Sequence, residues 1–548
     1  MQCSGTNLTV GRKVSTGVEK NRVDFTELTR QIMDKKKSVL IITVSIVSRI
    51  LILVTALIVR RLLISYIGND VNGLNSLYTS IIGMLSVAEL GIGSAIAFAM
   101  YHPIVENDQK SVAALYCLYR KLYRIIGLII FCLGLVILPF LPGLISDYND
   151  LSVNVYLTFF LSLVSVVLTY FYGAKTSLIE AYKDNDLTTG IHAISRLLTY
   201  ALQAAAILIW RSFTVFLICQ IIETLLIWLL TDLAVRRKHR DVISLHETVD
   251  AGKMAEVTKS IRAMVMHKIS NMLVNTVDSV IISAFIGVVV LGKYSNYTLI
   301  VGVISGIISL FFYPLTSVVG HLCAEGDKYK IKRHFDYFYC MNYFLGVIFF
   351  LGYYAVVDYA IRLCFGSGLE MPRSIAFIIT LDQFTKCMRN TQLLFRNASS
   401  TFYYDRWKAI IEGICNLVLS LLFVQVFPEE YRVVGVLVAT IITTLFICDI
   451  VDPYVVFVHV FGIKPWRFCL KNYCYIALFT LALLTSSRLL HPAASILSGI
   501  LINGFISLGV ALIVLSFVFI IDPSFRNGVL IMCRSIFTWM RKREIPEK

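Results

Sequence analysis

Four polar residues in one apolar stretch, Lys268, Asn271, Asn275 and Asp278, follow one another at i, i+3, i+7 and i+10. At 100° per residue of α-helix they fall within about 80° of one another, on one helix face. A charged side chain at the centre of a bilayer costs about 2.5–3.5 kcal/mol on insertion scales, so such residues face a partner or a water-filled cavity. The stripe reads as a cavity wall; the other reading is hydrogen bonding between packed helices. Arg49 occupies the position that matches Lys268 in an internal repeat of the chain. Two cations facing each other across a pseudo-two-fold axis suit a doubly charged anion such as a pyrophosphate, and Arg offers phosphate a bidentate fork. Against this, Lys268 can extend to the membrane surface along its own apolar stem, and Arg49 can pair with Glu89.

Other candidates are Arg60 and Arg61, at the outer end of the first apolar stretch, where they serve a binding site or anchor the helix at the interface. Glu89 lies in Ala88-Glu89-Leu90-Gly91-Ile92-Gly93 and either pairs with a cation or has a capping or packing role. Asp382, Lys386, Arg389 and Arg396 read mainly as a solvated face, while Gln220, Glu223, Glu412 and Asn416 are secondary candidates inside apolar stretches. Gly287-Val-Val-Val-Leu-Gly292-Lys293 has phosphate-loop spacing, but Tyr294 stands where Ser or Thr should hold magnesium, and the segment reads as a turn between helices. No Ser/His/Asp, paired-carboxylate or metal-ligand constellation stands out, so neither an enzyme nor a cofactor is expected.

The elements that position these residues follow from composition. Of 548 residues, 57% are hydrophobic and only 16% charged, against about 25% charged in soluble domains. Crossing a ~30 Å hydrocarbon core takes about 20 apolar residues as helix. Fourteen stretches qualify: 38–59, 74–98, 122–144, 152–172, 188–210, 212–234, 264–286, 294–318, 337–361, 374–393, 409–427, 433–459, 473–489 and 494–521. Lipid offers no partner to open backbone, and the short alternating strands of a membrane barrel are missing from the pattern. The fold class expected is therefore an all-α integral membrane protein. With the N-terminus inside, 41 of the 50 Lys and Arg fall on the inner side and eight on the outer side, Arg49 lying within the first span. That asymmetry places both termini in the cytoplasm and reads the net charge of +15 as topology and lipid contact, with no nucleic-acid partner. The late, uncleavable first apolar run is a span, not a signal peptide. The thirteen Cys are scattered and form no disulfide framework.

The chain repeats itself. Shifted so that Ile67 meets Ile286, the stretch Ile67–Ser86 aligns without a gap on Ile286–Ser305 with ten identities in twenty positions. The same shift brings His102, Glu106 and Asp108 onto His321, Glu325 and Asp327, and Arg49 onto Lys268. Six spans separate the copies, so the two share an orientation and a relating axis along the membrane normal, as in parallel-repeat transporters. The expected organisation is a polar cytoplasmic tail (1–37), a six-helix bundle (38–234), a basic cytoplasmic linker (235–261), a second six-helix bundle (262–459), two additional helices (473–521) and a cytoplasmic tail (522–548).

On these residues the chain resembles the polysaccharide transport family, bacterial lipid-linked oligosaccharide flippases of the multidrug/oligosaccharidyl-lipid/polysaccharide exporter superfamily. The similarity runs through Ser48-Arg49 to Arg60-Arg61, Gly68, Asn72-Gly73-Leu74, Ala88 to Ile96, and Tyr101-His102-Pro103 with Asp108. The resemblance implies two six-helix bundles around a V-shaped cavity, two added helices, alternating access, and undecaprenyl pyrophosphate carrying a sugar repeat unit as substrate. It also implies cavity arginines on the pyrophosphate: Arg49 matches by type and helix, whereas Lys268 departs from Arg in the second half.

The expected function is translocation of a lipid-linked oligosaccharide from the inner to the outer leaflet for surface polysaccharide assembly. A polar cavity replaces the hydration that sugar hydroxyls would lose in hydrocarbon. The expected partners are that substrate, membrane lipids, and glycosyltransferases and a polymerase of the same pathway. A cation-coupled multidrug exporter is the closest alternative and would favour an acid and aromatics in the cavity. A glycan polymerase or ligase fits less well, because the outer loops are all short.

Overall fold

The computed structural model describes residues 47–86, 92–245, 247, 276–312, 315–399, 401, 404, 405, 407–493 and 495–531. Contacts divide the chain into two units, residues 1–55 and 56–548. In the first, residues 47–55 are helical.

The helices of the second unit, in chain order, are α1 (56–66), α2 (Asn69–Leu85), α3 (Ile92–Val105), α4 (Gln109–Ile137), α5 (Val155–Ala181), α6 (Asn185–Trp210), α7 (Phe213–Lys238), α8 (Thr276–Phe285) and α9 (Val288–Phe312). They continue with α10 (Leu315–Glu325), α11 (Lys328–Phe365), α12 (Arg373–Met388), α13 (Asn390–Ala398), α14 (Lys408–Val426), α15 (Arg432–Thr443), α16 (Asp449–Val455), α17 (Trp466–Leu489) and α18 (Ile496–Ile521). Each of the fourteen apolar stretches contains helix. Among the described residues nine helices are long and apolar enough to cross a membrane, with shorter apolar helices beside them, and no strand occurs. The protein is an all-α, multi-pass membrane protein.

Apolar length builds these helices, and short polar side chains start them. Asp108 accepts from Ser111 N at 3.1 Å ahead of α4, and Asn154 accepts from Leu157 N at 3.0 Å ahead of α5. Ser495 and Ser498 form a reciprocal cap on α18. Between α15 and α16 the helix widens into a π-turn, Thr444–Cys448, and after Pro453 into another, Val456–Phe461, which Gly462 ends at φ +74°. Proline's missing N–H breaks the regular ladder there. Helix α5 packs on α4 and α7, α6 on α7, α11 on α12 and α18, α14 on α15, and α2 on α9.

The repeat reappears in local geometry. Gly68 and Gly287, matched in sequence, both adopt positive φ, +144° and +122°, and α2 and α9 begin directly after them. The pair α4 and α11 likewise begins at matched positions, after Asp108 and Asp327, and Asp327 accepts from Tyr329 N and Lys330 N at 3.0 and 3.1 Å. Backbone geometry thus follows the sequence identity beyond the residues that are identical.

The charged run at the end of α12 departs from the solvated face expected of it. Asp382 and Arg396 are buried. Lys386 Nζ donates to Asp382 at 2.8 Å and Arg389 Nε to Asp452 at 2.9 Å. Lys408 also donates to Asp452, and Arg396 to Asp405. Partners supplied by α14, α16 and the α13–α14 connection neutralise charges that look exposed when α12 and α13 are read alone.

A candidate binding cavity

Four helices present polar stripes to one another. On α6, His192, Arg196, Tyr200 and Gln203 stand at i, i+4, i+8 and i+11, again within about 80°. Gln220, Glu223 and Thr224 of α7 face them, as do Asn72, Asn75 and Thr79 of α2 and Ser165, Thr169 and Tyr172 of α5. Together with Arg60 of α1 they enclose a cavity of about 590 Å³. A recess of about 290 Å³ shares Asn75, Thr79, Val166 and Gln220 with it and runs toward Ser86. The lining comes almost wholly from helices α1 to α7, with Leu299 of α9 the exception.

Two guanidinium groups define the electrostatics. Arg196 lies three turns into α6, about 16 Å from its start. Its Nε donates to Glu223 Oε1 at 2.8 Å, and its guanidinium lies over the Tyr200 ring at 5.9 Å. Arg60 donates through Nη2 to Ser295 Oγ, sits 5.7 Å from the Phe365 ring, and keeps a buried Nε with no acceptor. Glu223 balances Arg196, so Arg60 leaves the cavity with an excess of positive charge. The amides and hydroxyls around the two offer donors and acceptors in numbers a hydroxyl-rich headgroup can use.

The end of the bundle next to Arg60 is closed by contacts between helices that match one another in the repeat. Gly73 of α2 lies on the start of α9: a Cβ there would fall 1.8 Å from Val288 O. Gly292 of α9 lies on the start of α2, where a Cβ would fall 2.4 Å from Asn69 O. Asn72 Nδ2 donates to Gly292 O at 3.0 Å and Asn69 Nδ2 to Val289 O at 2.8 Å. Arg61 Nη1 donates to Leu363 O at 2.8 Å, and Ser283 Oγ to Leu144 O at 2.8 Å; the two acceptors are themselves repeat counterparts. Asp147 caps α9 through Val288 N at 2.9 Å. Arg60 therefore lines the cavity, and Arg61 belongs to its closure.

Asp278 lies elsewhere. It is buried on α8 and accepts from Thr440 Oγ1 of α15 at 3.2–3.3 Å, and that hydroxyl accepts from Asn416 Nδ2 of α14 at 2.9 Å. Asp278 does not line the cavity around Arg60 and Arg196. Arg49 is exposed on the helical segment 47–55. Glu89, Lys268, Asn271 and Asn275 lie outside the described residues.

Sequence reasoning missed Arg196, His192 and Gln203. The signal is present: the same helical spacing that singles out the Lys268 stripe occurs in the fifth span. Arg196 passes instead for one more positive charge at the inner end of that span. Gln220 and Glu223, secondary candidates in sequence, are cavity residues.

By sequence the chain matches no protein-family model and no curated protein. By structure it superposes on a lipid II flippase, MurJ, in an inward closed conformation, with a TM-score of 0.60, 16% identity, and coverage of 88% of this chain and 99% of that one. The chain shares the fold of that flippase. A multidrug resistance MATE family transporter of the MOP superfamily, in an inward-facing conformation, superposes with a TM-score of 0.55 and 13% identity over 78% of this chain and 95% of its own. The fold is thus found in a lipid flippase and in a drug transporter, and does not by itself specify an activity.

Proposed function

We propose that this protein is a flippase that carries a lipid-linked oligosaccharide on undecaprenyl pyrophosphate from the inner to the outer leaflet by alternating access between two six-helix halves. The observation that carries the reading is the cavity shared by Arg60 and Arg196, cationic in balance and walled by amides and hydroxyls. The arginines suit the pyrophosphate and the polar walls suit the sugars. With both termini inside, as this reading has them, the glycine crossing of α2 and α9 would lie at the outer end.

A multidrug exporter is the second reading, favoured by Glu223 and by Tyr172, Tyr200 and Phe216 in the same walls. The ion pair between Arg196 and Glu223 tips the balance, because the acid such a site would offer to a cationic drug is already occupied. The test is translocation of a fluorescent lipid-linked oligosaccharide in proteoliposomes, together with complementation of a flippase-deficient strain. Flipping that depends on Arg60 and Arg196 supports the proposal. Drug efflux without flipping overturns it.

A further inference from the structure

At the end of the bundle where α11 begins and α18 ends, a second cavity of about 570 Å³ opens on the surface. The charge distribution assigns this end to the inner side. The cavity lies between the first turns of α11 and the segment that follows α18, and shares no residue with the cavity around Arg60 and Arg196. Its walls combine the cations Lys332 and Arg333, the acid Asp336, the rings of Tyr329 and Tyr337, the polar Ser524 and Asn527, and the apolar Leu530 and Ile531.

Acids at this end are engaged, Asp336 by the cavity's own Lys332, so that Arg333 supplies the cavity's unbalanced charge. Glu325 takes Lys330 at 2.5 Å, Asp336 takes Lys332 at 2.5 and 2.6 Å, Asp522 takes Lys471 at 2.5 Å, and Asp327 caps α11. Among the described residues Arg333 forms no ion pair, nor do neighbouring Lys328 and Arg526. Positive charge is left over beside a polar wall, and the apolar wall continues onto the exposed Phe517, Ile520 and Ile521 of α18.

The repeat gives an internal control. The positions of α4 that match Lys332, Arg333, Asp336 and Tyr337 hold Ala113, Ala114, Cys117 and Leu118. The counterpart of Tyr329 is Lys110, but the charges of Lys332 and Arg333 have no equivalent at the matching positions of the copy that has no added helix pair beside it. They occur where the end of α18 meets the second copy.

We infer that this cavity binds the phosphodiester headgroup of an acidic glycerophospholipid of the inner leaflet, with Arg333 and Lys332 on the phosphate, Ser524 and Asn527 on the headgroup's other oxygens, and the acyl chains along α18. Basic pockets at the cytoplasmic ends of membrane helices take such headgroups. A cavity with both a cationic and an apolar wall fits a lipid better than a free anion.

Native mass spectrometry of the purified full-length chain, titrated with phosphatidylglycerol, phosphatidylcholine and soluble glycerol 3-phosphate, tests it. Wild type should retain phosphatidylglycerol well beyond phosphatidylcholine. Arg333→Ala, which strands no acid, should weaken that retention about fivefold, and Arg333→Ala with Lys332→Ala about thirtyfold. Lys330→Ala, outside the cavity, should leave retention unchanged, and Arg333→Lys should keep most of it. Equal retention of the two lipids, or an Arg333→Ala variant that binds as wild type, overturns the site. Glycerol 3-phosphate competing as well as the lipid overturns the assignment to a lipid.

Discussion

Gly73 and Gly292 are counterparts in the repeat, and each lies against the first residue of the helix that carries the other: Gly73 on Val288, Gly292 on Asn69. Such reciprocity marks a local two-fold relation between α2 and α9. It brings backbone to backbone where any side chain would force the helices apart, as small residues do at close membrane-helix crossings.

A side chain at Gly73 should therefore open this end of the bundle. Gly73→Val is expected to abolish cross-linking between cysteines placed at Asn69 and Val289 in an otherwise cysteine-free chain, while the parent pair cross-links readily. Overpacking of this kind costs roughly 1–3 kcal/mol, enough to move a conformational equilibrium about fivefold to a hundredfold. Undiminished cross-linking would show that the crossing has room to spare.

Removing either cavity arginine should weaken substrate binding, and Arg60→Ala should do so at unchanged stability, whereas Arg196→Ala also strands the buried Glu223. Hydrogen bonds to charged groups are worth about 1.5–3 kcal/mol, so Arg60→Ala and Arg196→Ala should each weaken binding of the lipid-linked substrate ten-fold or more. Arg60→Lys should fall between, retaining charge without the fork. Binding to detergent-solubilised protein is the measurement, with melting temperature followed alongside and Arg196→Ala compared with an Arg196→Ala, Glu223→Gln variant that leaves no buried charge unpaired.

Arg49 offers a separate comparison. Arg49→Ala should abolish complementation at normal membrane levels of protein, and Arg49→Lys should restore part of it. Full activity of an Arg49→Ala, Lys268→Ala double variant would leave substrate contact to Arg60 and Arg196.

The buried charges around Asp452 should matter for stability instead. Asp452→Asn leaves Arg389 and Lys408 without their shared acid, and breaking a buried ion pair from one side costs about 3–5 kcal/mol. A large drop in melting temperature is expected. Arg60→Ala in the same assay should stay near wild type.

Asp147→Ala removes the cap of α9 and should cost on the order of 1 kcal/mol, concentrated at that helix end. Hydrogen exchange should quicken at Val288 and Val289 and remain unchanged in α18.

The spans were legible because an apolar run long enough to cross a bilayer is a local property of the chain. The repeat was legible because Gly68, Gly73 and their counterparts kept identity where backbone conformation or close approach required glycine. The cavity was legible only in part. Gln220 and Glu223 stood out, but Arg196, near the inner end of its span, is indistinguishable by charge from the cations that set topology. The Asp452 cluster was not legible, since Arg389, Lys408 and Asp452 come from separate stretches and only packing shows that they neutralise one another. Contacts such as Arg61 with Leu363 O depend on how two distant stretches meet, and no single stretch encodes that.

The crossing also ties two parts of the gene together. A duplicated sequence normally frees one copy to drift while the other keeps its task. Here Gly73 is held in place by the backbone of the opposite copy, and Gly292 by the backbone of the first. Neither position can enlarge alone, so at these two sites a change in one copy of the repeat is felt at once by the other.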